Sequence, residues 1–374
     1  MEFRVDRTEF ADAVGRAARA LPARTPVPVL GGLLLEAAEG RLTVSGFDFE
    51  AAVRVAVDAE VGADGRVLVP GRRLADVCRV LPDGPVSCGL EASRFTVEAD
   101  GTRFGLSTLP LAEYPALPVP PAPYGTVDAA AFAAAVGQVA VAAGRDDTLP
   151  VLTGVQLRLE GAEMTLSASD RYRYAVRRLA WRPETGDAEG AVEVLLPARR
   201  LLDVARVSAR GGDLRVGLEA GGGSAGFEGG GTRTVLRLLD GRLPGYGTLF
   251  AMAGAAVAEA DCEPLREAVR RVAVVAEANS PVRLDFSADG SVLVRAGYGD
   301  DVAAQSVPAT LTGAAETTVA FSPAYLLDAL TSFDTPRVRL ELLGAGQRAL
   351  LHAVAGDSSP TAHQHLLMSV RQLV

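Results

Sequence analysis

The chain has 374 residues, of which 48% are hydrophobic, so it is long and apolar enough for two or three domains with substantial cores. Its net charge of −9 argues against a protein that holds nucleic acid by bulk electrostatic attraction. The three cysteines lack paired spacing and favour a reducing compartment. Because no signal peptide and no apolar run of about 20 residues is recognisable, we expect a soluble cytoplasmic protein without a membrane partner.

In chain order, three segments with helical periodicity follow short extended segments. The spacing of apolar residues predicts helices over residues 11–21, 132–143 and 261–276. Alternating polar and apolar residues predict strands over 42–45 and 52–57, and further alternating segments separate the helices. The predicted fold class is therefore α+β, with two helices in each unit packed against antiparallel strands.

Two sequence blocks each occur three times and keep their order. The first joins a Pro-Val-Leu-Gly-like turn to a strand, and its copies lie in residues 28–45, 149–167 and 280–294. The second joins a strand, a proline and a short helix, and its copies are residues 67–77, 194–204 and 319–329. The period of roughly 120 to 130 residues is that of a whole domain, much longer than a solenoid unit. Three similar domains are therefore expected.

Two connectors and one glycine-rich run interrupt the repeats. The proline-rich segment 115–123 predicts a stiff connector after the first repeat, and a second boundary is expected within 243–254. The run 221–231 lacks the Gly-Lys-Ser/Thr ending of a phosphate-binding loop and falls between two strand patterns. It is therefore predicted to be a flexible hairpin tip.

Candidate reacting groups for an enzyme are few. His352, His363 and His365 lie near the C-terminus, and the last two have the spacing of residues on one face of a strand. No third ligand cluster accompanies them, which argues against a metal site. A metal enzyme or hydrolase that uses these histidines stays an alternative hypothesis. Asp146 and Asp147 fit a turn cap better than a catalytic acid pair. We predict no enzyme activity, no cofactor and no metal.

Arginines concentrate on the predicted helices, whereas several strand and turn segments are acidic. The helix arginines are Arg16, Arg19, Arg72, Arg73, Arg79, Arg199, Arg200, Arg206, Arg266, Arg270 and Arg271. For any single helix, a solvated face explains such residues. If the helices of all three repeats share one side, that side is basic although the whole chain is acidic. Such a surface tolerates a polyanion without binding it tightly.

Five motifs resemble those of the bacterial DNA polymerase III β subunit, the sliding clamp. They are residues 24–31, 104–110, 149–155, 169–175 and 366–371. The resemblance covers essentially the whole chain and implies three tandem DNA-clamp domains, over residues 1–121, 125–250 and 254–374. It further implies a head-to-tail homodimer, a six-domain ring around duplex DNA. Such a ring would bind short linear motifs of the replicative polymerase and of the clamp loader. It would tether the polymerase and so raise the effective concentration of polymerase at the DNA, which makes synthesis processive.

The same resemblance implies three sets of functional residues. The peptide-binding pocket would comprise Leu152, Ser169, Arg171, Tyr172, Arg173, Tyr174, Pro244, Leu249, Tyr325, Leu366, Met368, Val370 and Arg371. DNA contacts would come from Arg24, Arg73, Arg199 and Arg200. At the dimer interface, two residues of one subunit would meet two of the other: Phe104 and Leu106 against Val274 and Val275.

Three departures from the family pattern fall on the implied pocket. The usual Thr-Asp-Gly-His-Arg-Leu run reads Ser-Asp-Arg-Tyr-Arg-Tyr in residues 169–174, with bulk where Gly and Leu are expected. The acid-aromatic-basic-basic run expected after Pro244 reads Gly-Tyr-Gly-Thr in residues 245–248. The usual Met-Pro-Met/Val-Arg-Leu ending reads Met-Ser-Val-Arg-Gln-Leu-Val in residues 368–374. Beside a working replicative clamp, these changes leave open a specialised second clamp, whose pocket admits other peptides or rejects a pocket-binding antibiotic.

Overall fold

The computed structural model describes residues 1–184, 191–209, 211–218, 221–277, 280–354 and 362–371. Its α-helices are α1 (Arg7–Ala17), α2 (Gly71–Val80), α3 (Ala129–Ala140), α4 (Ala198–Ser208), α5 (Cys262–Val272) and α6 (Pro323–Thr331). The strands of its first half are β1 (Glu2–Asp6), β2 (Gly32–Ala38), β3 (Arg41–Phe47), β4 (Ala51–Asp58), β5 (Glu60–Ala63), β6 (Gly65–Pro70), β7 (Pro85–Glu91), β8 (Arg94–Ala99), β9 (Thr102–Ser107), β10 (Pro123–Asp128), β11 (Gly154–Glu160), β12 (Glu163–Ser169) and β13 (Arg173–Ala180). Those of its second half are β14 (Arg182–Pro183), β15 (Val192–Pro197), β16 (Asp213–Leu218), β17 (Ser224–Gly229), β18 (Thr232–Arg237), β19 (Ala256–Asp261), β20 (Val282–Ser287), β21 (Ser291–Tyr298), β22 (Asp301–Thr312), β23 (Glu316–Phe321), β24 (Arg337–Leu342), β25 (Arg348–Ala353) and β26 (His363–Met368).

The order of helices and strands repeats three times along the chain. Each repeat begins with a strand and a helix, continues with a meander of strands into a second helix, and ends with three strands. Neighbouring strands in the sheets are antiparallel. The predicted α+β class, with two helices in each repeat, is therefore confirmed.

Two helices begin earlier than apolar periodicity predicts, because an aspartate caps each of them. The Asp6 carboxylate accepts hydrogen bonds from the N–H groups of Thr8 at 2.7 Å and Glu9 at 3.1 Å, and α1 begins at Arg7. Asp128 accepts from the N–H of Ala131 at 2.8 Å, and α3 begins at Ala129. Such caps satisfy donors of the first turn and are worth about 1 kcal/mol each.

The first compact unit contains residues 1–133 and 203–238 together with β14. It has a five-stranded sheet in the order β5-β1-β7-β8-β9 and a nine-stranded sheet in the order β14-β10-β16-β17-β18-β4-β3-β2-β6. Phe3, Phe10 and Phe95 are almost fully buried in an apolar core of this unit. Burying a side chain of this size stabilises the folded state by roughly 1.5–3 kcal/mol.

The second compact unit contains residues 134–181 and 239–371, together with β15 and the first residues of α4. One twelve-stranded sheet runs through it in the order β15-β11-β12-β13-β26-β25-β24-β19-β22-β21-β20-β23. The long strand β22 pairs with β21 through residues 301–308 and with β19 through residues 309–312. The side of residues 301–306 that faces away from β21 has no partner strand in the described part of the chain.

The glycine-rich run was predicted wrongly as one hairpin tip. Residues 224–229 of this run form β17, which pairs with β16 on one side and with β18 on the other. Gly230 and Gly231 make the turn into β18 and have positive φ angles of 56° and 73°. Glycine adopts that conformation without a Cβ clash, whereas the strand before it is stabilised by two neighbours that the local composition does not reveal.

Across the described ranges, no α-helix is both long enough and apolar enough to cross a membrane.

Candidate peptide-binding groove

The turn between β12 and β13 presents the first part of the predicted pocket. The Asp170 carboxylate accepts hydrogen bonds from the N–H groups of Tyr172 at 3.0 Å and Arg173 at 3.2 Å, and the Ser169 hydroxyl donates to the Arg173 carbonyl at 2.8 Å. Arg171, at the tip, has a φ of 82°. Non-glycine residues in such a conformation carry strain of order 1 kcal/mol, and the family pattern has glycine at this position.

A buried arginine fixes two aromatic side chains beside this turn. The Arg173 side chain is 5% exposed and donates to Asp170 at 2.9 Å and to Asp328 of α6 at 2.6 Å. Its guanidinium lies 4.3 Å from the ring centroid of Tyr325, within cation–π range. The Tyr172 ring stacks against Tyr325 with centroids 6.3 Å apart. One charged side chain therefore holds the turn, α6 and both tyrosines together.

These residues line a groove of about 400 Å³ on the surface of the second compact unit. The groove is bordered by Ala143, Gly144, Arg145, Asp146, Leu149, Leu152, Asp170, Arg171, Tyr172, Arg173, Ala324, Tyr325 and Asp328. Burial raises the pKa of the Tyr325 hydroxyl, so this group stays protonated near neutral pH. An open groove with apolar and aromatic walls and charged rims suits an extended peptide with an apolar anchor.

Other predicted pocket residues lie in an apolar cluster beside the groove. Tyr174 and Leu366 are 3% and 4% exposed and pack with Leu249 and neighbouring apolar residues. The Tyr174 hydroxyl donates to the Pro244 carbonyl at 3.0 Å. The Arg348 guanidinium donates to the Leu249 carbonyl at 2.8 Å. These contacts anchor the segment after β18 against the sheet.

The C-terminal residues of the predicted pocket are tied to the same elements. Met368 donates its N–H to the Tyr172 carbonyl, and Val370 donates to the Ala320 carbonyl, both at 2.8 Å. The side chains of Met368 and Val370 are 37% and 38% exposed. The side chain of Arg371 lies directly against Gly346, which has no Cβ to displace it.

Ser369 replaces the proline that the family ending has at this place. Its hydroxyl donates to the Gln347 carbonyl at 2.8 Å and accepts the Gln347 N–H at 3.0 Å. The substitution therefore keeps the C-terminal segment bound to the neighbouring turn by new hydrogen bonds.

The predicted DNA contacts are arginines at exposed or half-buried places. Arg24 is exposed in the loop after α1, Arg73 is exposed on α2, and Arg199 is exposed on α4, beside the half-buried Arg200. Neither Arg73 nor Arg199 forms an ion pair with another residue that the structure describes. Most other helix arginines are neutralised by a nearby acid, as in the pairs Arg16–Asp12, Arg19–Asp203, Arg79–Asp76, Arg206–Asp203, Arg266–Glu263 and Arg270–Glu267.

The predicted interface residues divide into one exposed and three packed side chains. Val274, in the 3₁₀ turn after α5, is 82% exposed. Val275 and Phe104 are half-buried against the apolar cores, and Leu106 is 9% exposed within one. Phe104 and Leu106 belong to β9, which is an edge strand.

His352, His363 and Asp146 have structural partners, whereas the ring of His365 is buried and has no hydrogen-bond partner among the described residues. The two His363 ring nitrogens lie 2.8 Å from the Ser332 hydroxyl and 3.2 Å from the Val176 carbonyl, and burial lowers the pKa of His363 to about 4. His352 contacts Glu341 at 2.9 Å. Asp146 caps the turn at Thr148, as predicted, and the hydrogen bonds from Thr148 lower the pKa of its carboxyl. Among the residues that the structure describes, no group of three or more His, Cys, Asp or Glu is placed to hold a metal.

Three consecutive parts of the chain match three domains of one family. Residues 1–118 match the N-terminal domain of the DNA polymerase III beta subunit, residues 126–245 its central domain and residues 248–369 its C-terminal domain. The chain belongs to the DNA polymerase III beta subunit family. Its fold is that of three tandem clamp domains, and the predicted family is confirmed.

Similar proteins match over the full length of the chain. It is 47% identical to a beta sliding clamp of Streptomyces coelicolor and 40% identical to the beta sliding clamp homolog GriR of Streptomyces muensis, covering 99% of both chains in each case. A crystal structure of a Pseudomonas aeruginosa sliding clamp bound to griselimycin has a TM-score of 0.90 and 25% identity, with each chain covered completely. A further Pseudomonas aeruginosa beta subunit structure has a TM-score of 0.89 and 26% identity, again over both whole chains.

Proposed function

We propose that this chain is a DNA polymerase processivity clamp of the cytoplasm. Two copies close head to tail into a ring around duplex DNA, and the groove between the β12–β13 turn and α6 binds short linear motifs of the replicative polymerase and the clamp loader. Membership of the DNA polymerase III beta subunit family supports this role. In the proposed ring each chain contributes domains over residues 1–121, 125–250 and 254–374. Each chain acts by tethering, not as an enzyme.

The observation that supports the proposed ring is the strand register at two junctions between repeats. The last strand of the second repeat, β18, pairs with β4 of the first, and β26 of the third pairs with β13 of the second. At the first junction Leu236 lies opposite Ala51, and at the second Leu367 lies opposite Arg173. The same positions of the repeat therefore meet at both junctions.

Internal markers establish which positions are equivalent. Near the end of each repeat one N–H donates at 2.8 Å to the strand before the second helix: Leu109 to Leu68, Leu239 to Leu195 and Val370 to Ala320. These bonds align β9, β18 and β26. The hairpin pairs Arg41–Asp58, Glu163–Ala180 and Ser291–Pro308 align β4, β13 and the first part of β22 in the same way.

The remaining pair of equivalent strands is β9 and the first part of β22, and each has one side without a partner strand in the described chain. β9 is the edge of its sheet, and residues 301–306 of β22 have an open side. We infer that β9 of one copy pairs with β22 of a second, with Leu106 opposite Asp301 and Thr102 opposite Gln305. Two such contacts close a head-to-tail dimer by a heterologous contact.

The four interface residues have different roles in this arrangement. Phe104 and Leu106 pack inward against the apolar core and hold β9 in place, and the main chain of Gly105 between them faces the partner. Val274 offers an exposed apolar side chain beside β22, and Val275 supports it from the core. Burial of one such valine against a partner adds roughly 1.5 kcal/mol or more to association.

For DNA, the proposal assigns phosphate contacts to Arg24, Arg73, Arg199 and Arg200. A few arginines on a chain of net charge −9 give weak contacts, which suit sliding. Substitution of both Arg73 and Arg199 by Glu is expected to weaken binding of a short duplex at low salt. The slope of log K against log salt should fall by about 2, roughly one per lost phosphate contact, in fluorescence anisotropy. The charge-matched pair Arg215→Glu and Arg237→Glu, on exposed strand positions, is the control.

A peptide of the Gln-x-x-Leu/Met-x-Phe/Leu type tests the groove directly. Saturable binding by the purified protein is expected, and Tyr172→Ala should weaken it about tenfold, because an aromatic wall of the groove is removed. Tyr298→Ala is a matched control, since Tyr298 is 58% exposed and Tyr172 is 59% exposed. Equal loss of affinity in both variants would contradict the assignment of the groove.

The second candidate is a specialised clamp with the same ring and another peptide specificity. Two residues favour it, Arg171 and Tyr174, which stand where the family pattern has Gly and Leu. One similar protein is also named a clamp homolog rather than a clamp. The same assay separates the two candidates. Lack of binding by an intact dimer would favour the specialised clamp.

A further inference from the structure

The groove adjoins an apolar cluster of the protein itself, because Leu152 lines the groove and also packs against that cluster. The groove is lined by Leu149 and Leu152, but Tyr174 and Leu249 are not part of its wall. They lie in the adjoining apolar cluster, which Tyr174 fills from the β13 side. The residues that the sequence assigns to one pocket are therefore divided between an open groove and a closed cluster.

Tyr174 is held in this position by an aromatic group and a hydrogen bond. Its ring centroid lies 5.7 Å from that of Tyr246 and 5.9 Å from that of Phe250, and those two rings are 5.1 Å apart. The hydroxyl is satisfied by the Pro244 carbonyl at 3.0 Å. Because moving the ring outward would leave this carbonyl without its donor and open a cavity, the closed position is the stable one.

Tyr246 is itself fixed from the other side. Its hydroxyl accepts a hydrogen bond from the Arg178 guanidinium at 3.1 Å, and the guanidinium carbon lies 5.8 Å from the ring centroid. Tyr246 stands in the segment 245–248, where the family pattern has a different run. The two departures from the pattern, at residue 174 and after Pro244, therefore build one closed structure.

We propose that Tyr174 occupies the place of a second apolar side chain of a ligand, and so limits the groove to peptides with one apolar anchor. The inference rests on the proposed function, because it assumes that the groove binds peptides. The single anchor packs on the open surface formed by Leu149, Leu152 and the Tyr172–Tyr325 pair. Leu149 and Tyr172 are 37% and 59% exposed and offer the accessible apolar area. A second anchor finds no cavity and stays in solvent.

Two peptides test this assignment with the full-length protein. One has the sequence Gln-Ala-Ala-Leu-Ala-Phe, with two apolar anchors, and the other replaces its Leu by Ala. Tyr174→Leu vacates the ring volume, so it should bind the first peptide at least tenfold more tightly than wild type does. Burial of one leucine-sized group changes affinity by roughly tenfold to a hundredfold. The second peptide should lose most of this gain. Titration calorimetry measures both.

Tyr174→Phe is the matched control, since it keeps the ring and removes only the hydroxyl. It should gain far less affinity for the two-anchor peptide than Tyr174→Leu does, because the ring still fills the space. Phe250→Ala is a second variant that makes room for Tyr174 to withdraw, and it should favour the two-anchor peptide as well. If a thermal scan shows that Tyr174→Leu is not folded, Phe250→Ala tests the role of Tyr174 in its place.

The outcomes separate this inference from the function on which it rests. Equal affinity of the two-anchor peptide for wild type, Tyr174→Leu and Phe250→Ala would overturn the role of Tyr174 and leave peptide binding intact. If neither peptide binds any of these folded proteins, the proposed binding of this motif by the groove is itself overturned, and the specialised clamp is favoured.

Discussion

Val302→Pro is expected to convert the proposed dimer into monomers of 38.8 kDa. Ala309 of β22 donates its N–H to Gly290, on the β21 side. The N–H groups of successive residues in a strand point to opposite sides. Val302 lies seven residues before Ala309, an odd number, so its N–H points away from β21 and faces the open edge. The register inferred from the repeats places it against the Gly105 carbonyl of a second copy. Proline removes this donor and puts its ring in the path of the partner strand.

The size of the effect follows from the unpaired groups. Leaving a buried main-chain acceptor without a donor costs about 1–3 kcal/mol. A two-fold ring contains the contact twice, so about 2–6 kcal/mol is lost for each dimer, or roughly thirtyfold and more in the dissociation constant. Sedimentation velocity over a concentration series measures this shift.

Val302→Ala separates the hydrogen bond from the side chain. It keeps the N–H and removes part of an apolar side chain that is 65% exposed, so the dimer should weaken much less. The thermal transition of the isolated chain should be similar in both variants, because β22 keeps its bonds to β21. A Val302→Pro protein that sediments as a stable dimer would contradict the register.

The repeats made the fold predictable, and the caps and pairings set its details. Apolar periodicity and the second sequence block recur three times, so domain number, class and helix content followed from the sequence. Apolar periodicity predicts the start of α1 at residue 11, which is too late, because the helix begins at the Asp6 cap and the cap lies outside the apolar stripe. Strand β17 was missed because its glycine-rich composition is typical of a turn, while its stability comes from β16 and β18 on either side.

The resemblance identified groove residues but not their arrangement. Arg171, Tyr172, Arg173 and Tyr325 do line one groove. That Tyr174 faces the closed cluster depends on Tyr246 and Phe250, which are distant in sequence and reach it only through the fold. The ion pair of Arg173 with Asp328 likewise joins residues 155 positions apart. Such long-range contacts leave no periodic signal in the sequence.

Arg173→Met is expected to lower the free energy of unfolding by about 3 kcal/mol and to weaken peptide binding. Met keeps much of the side-chain volume but leaves Asp170, 11% exposed, without its cationic partner. Removing one member of a buried pair costs about 3–5 kcal/mol, because an uncompensated charge stays buried. The lower end applies here, since Asp328 is 38% exposed and regains water. Urea denaturation followed by circular dichroism gives the difference.

An exposed arginine with two carboxylate partners is the matched control for this prediction. Arg158 pairs with Glu160 at 2.9 Å and Glu193 at 3.6 Å, but its side chain is 43% exposed. Arg158→Met should therefore cost less than about 1 kcal/mol. The double variant Arg173→Met and Asp170→Asn should recover part of the stability, because Asn is uncharged and still caps the turn. Equal losses for Arg173→Met and Arg158→Met, with no recovery in the double variant, would mean that burial of Arg173 does not hold the groove together.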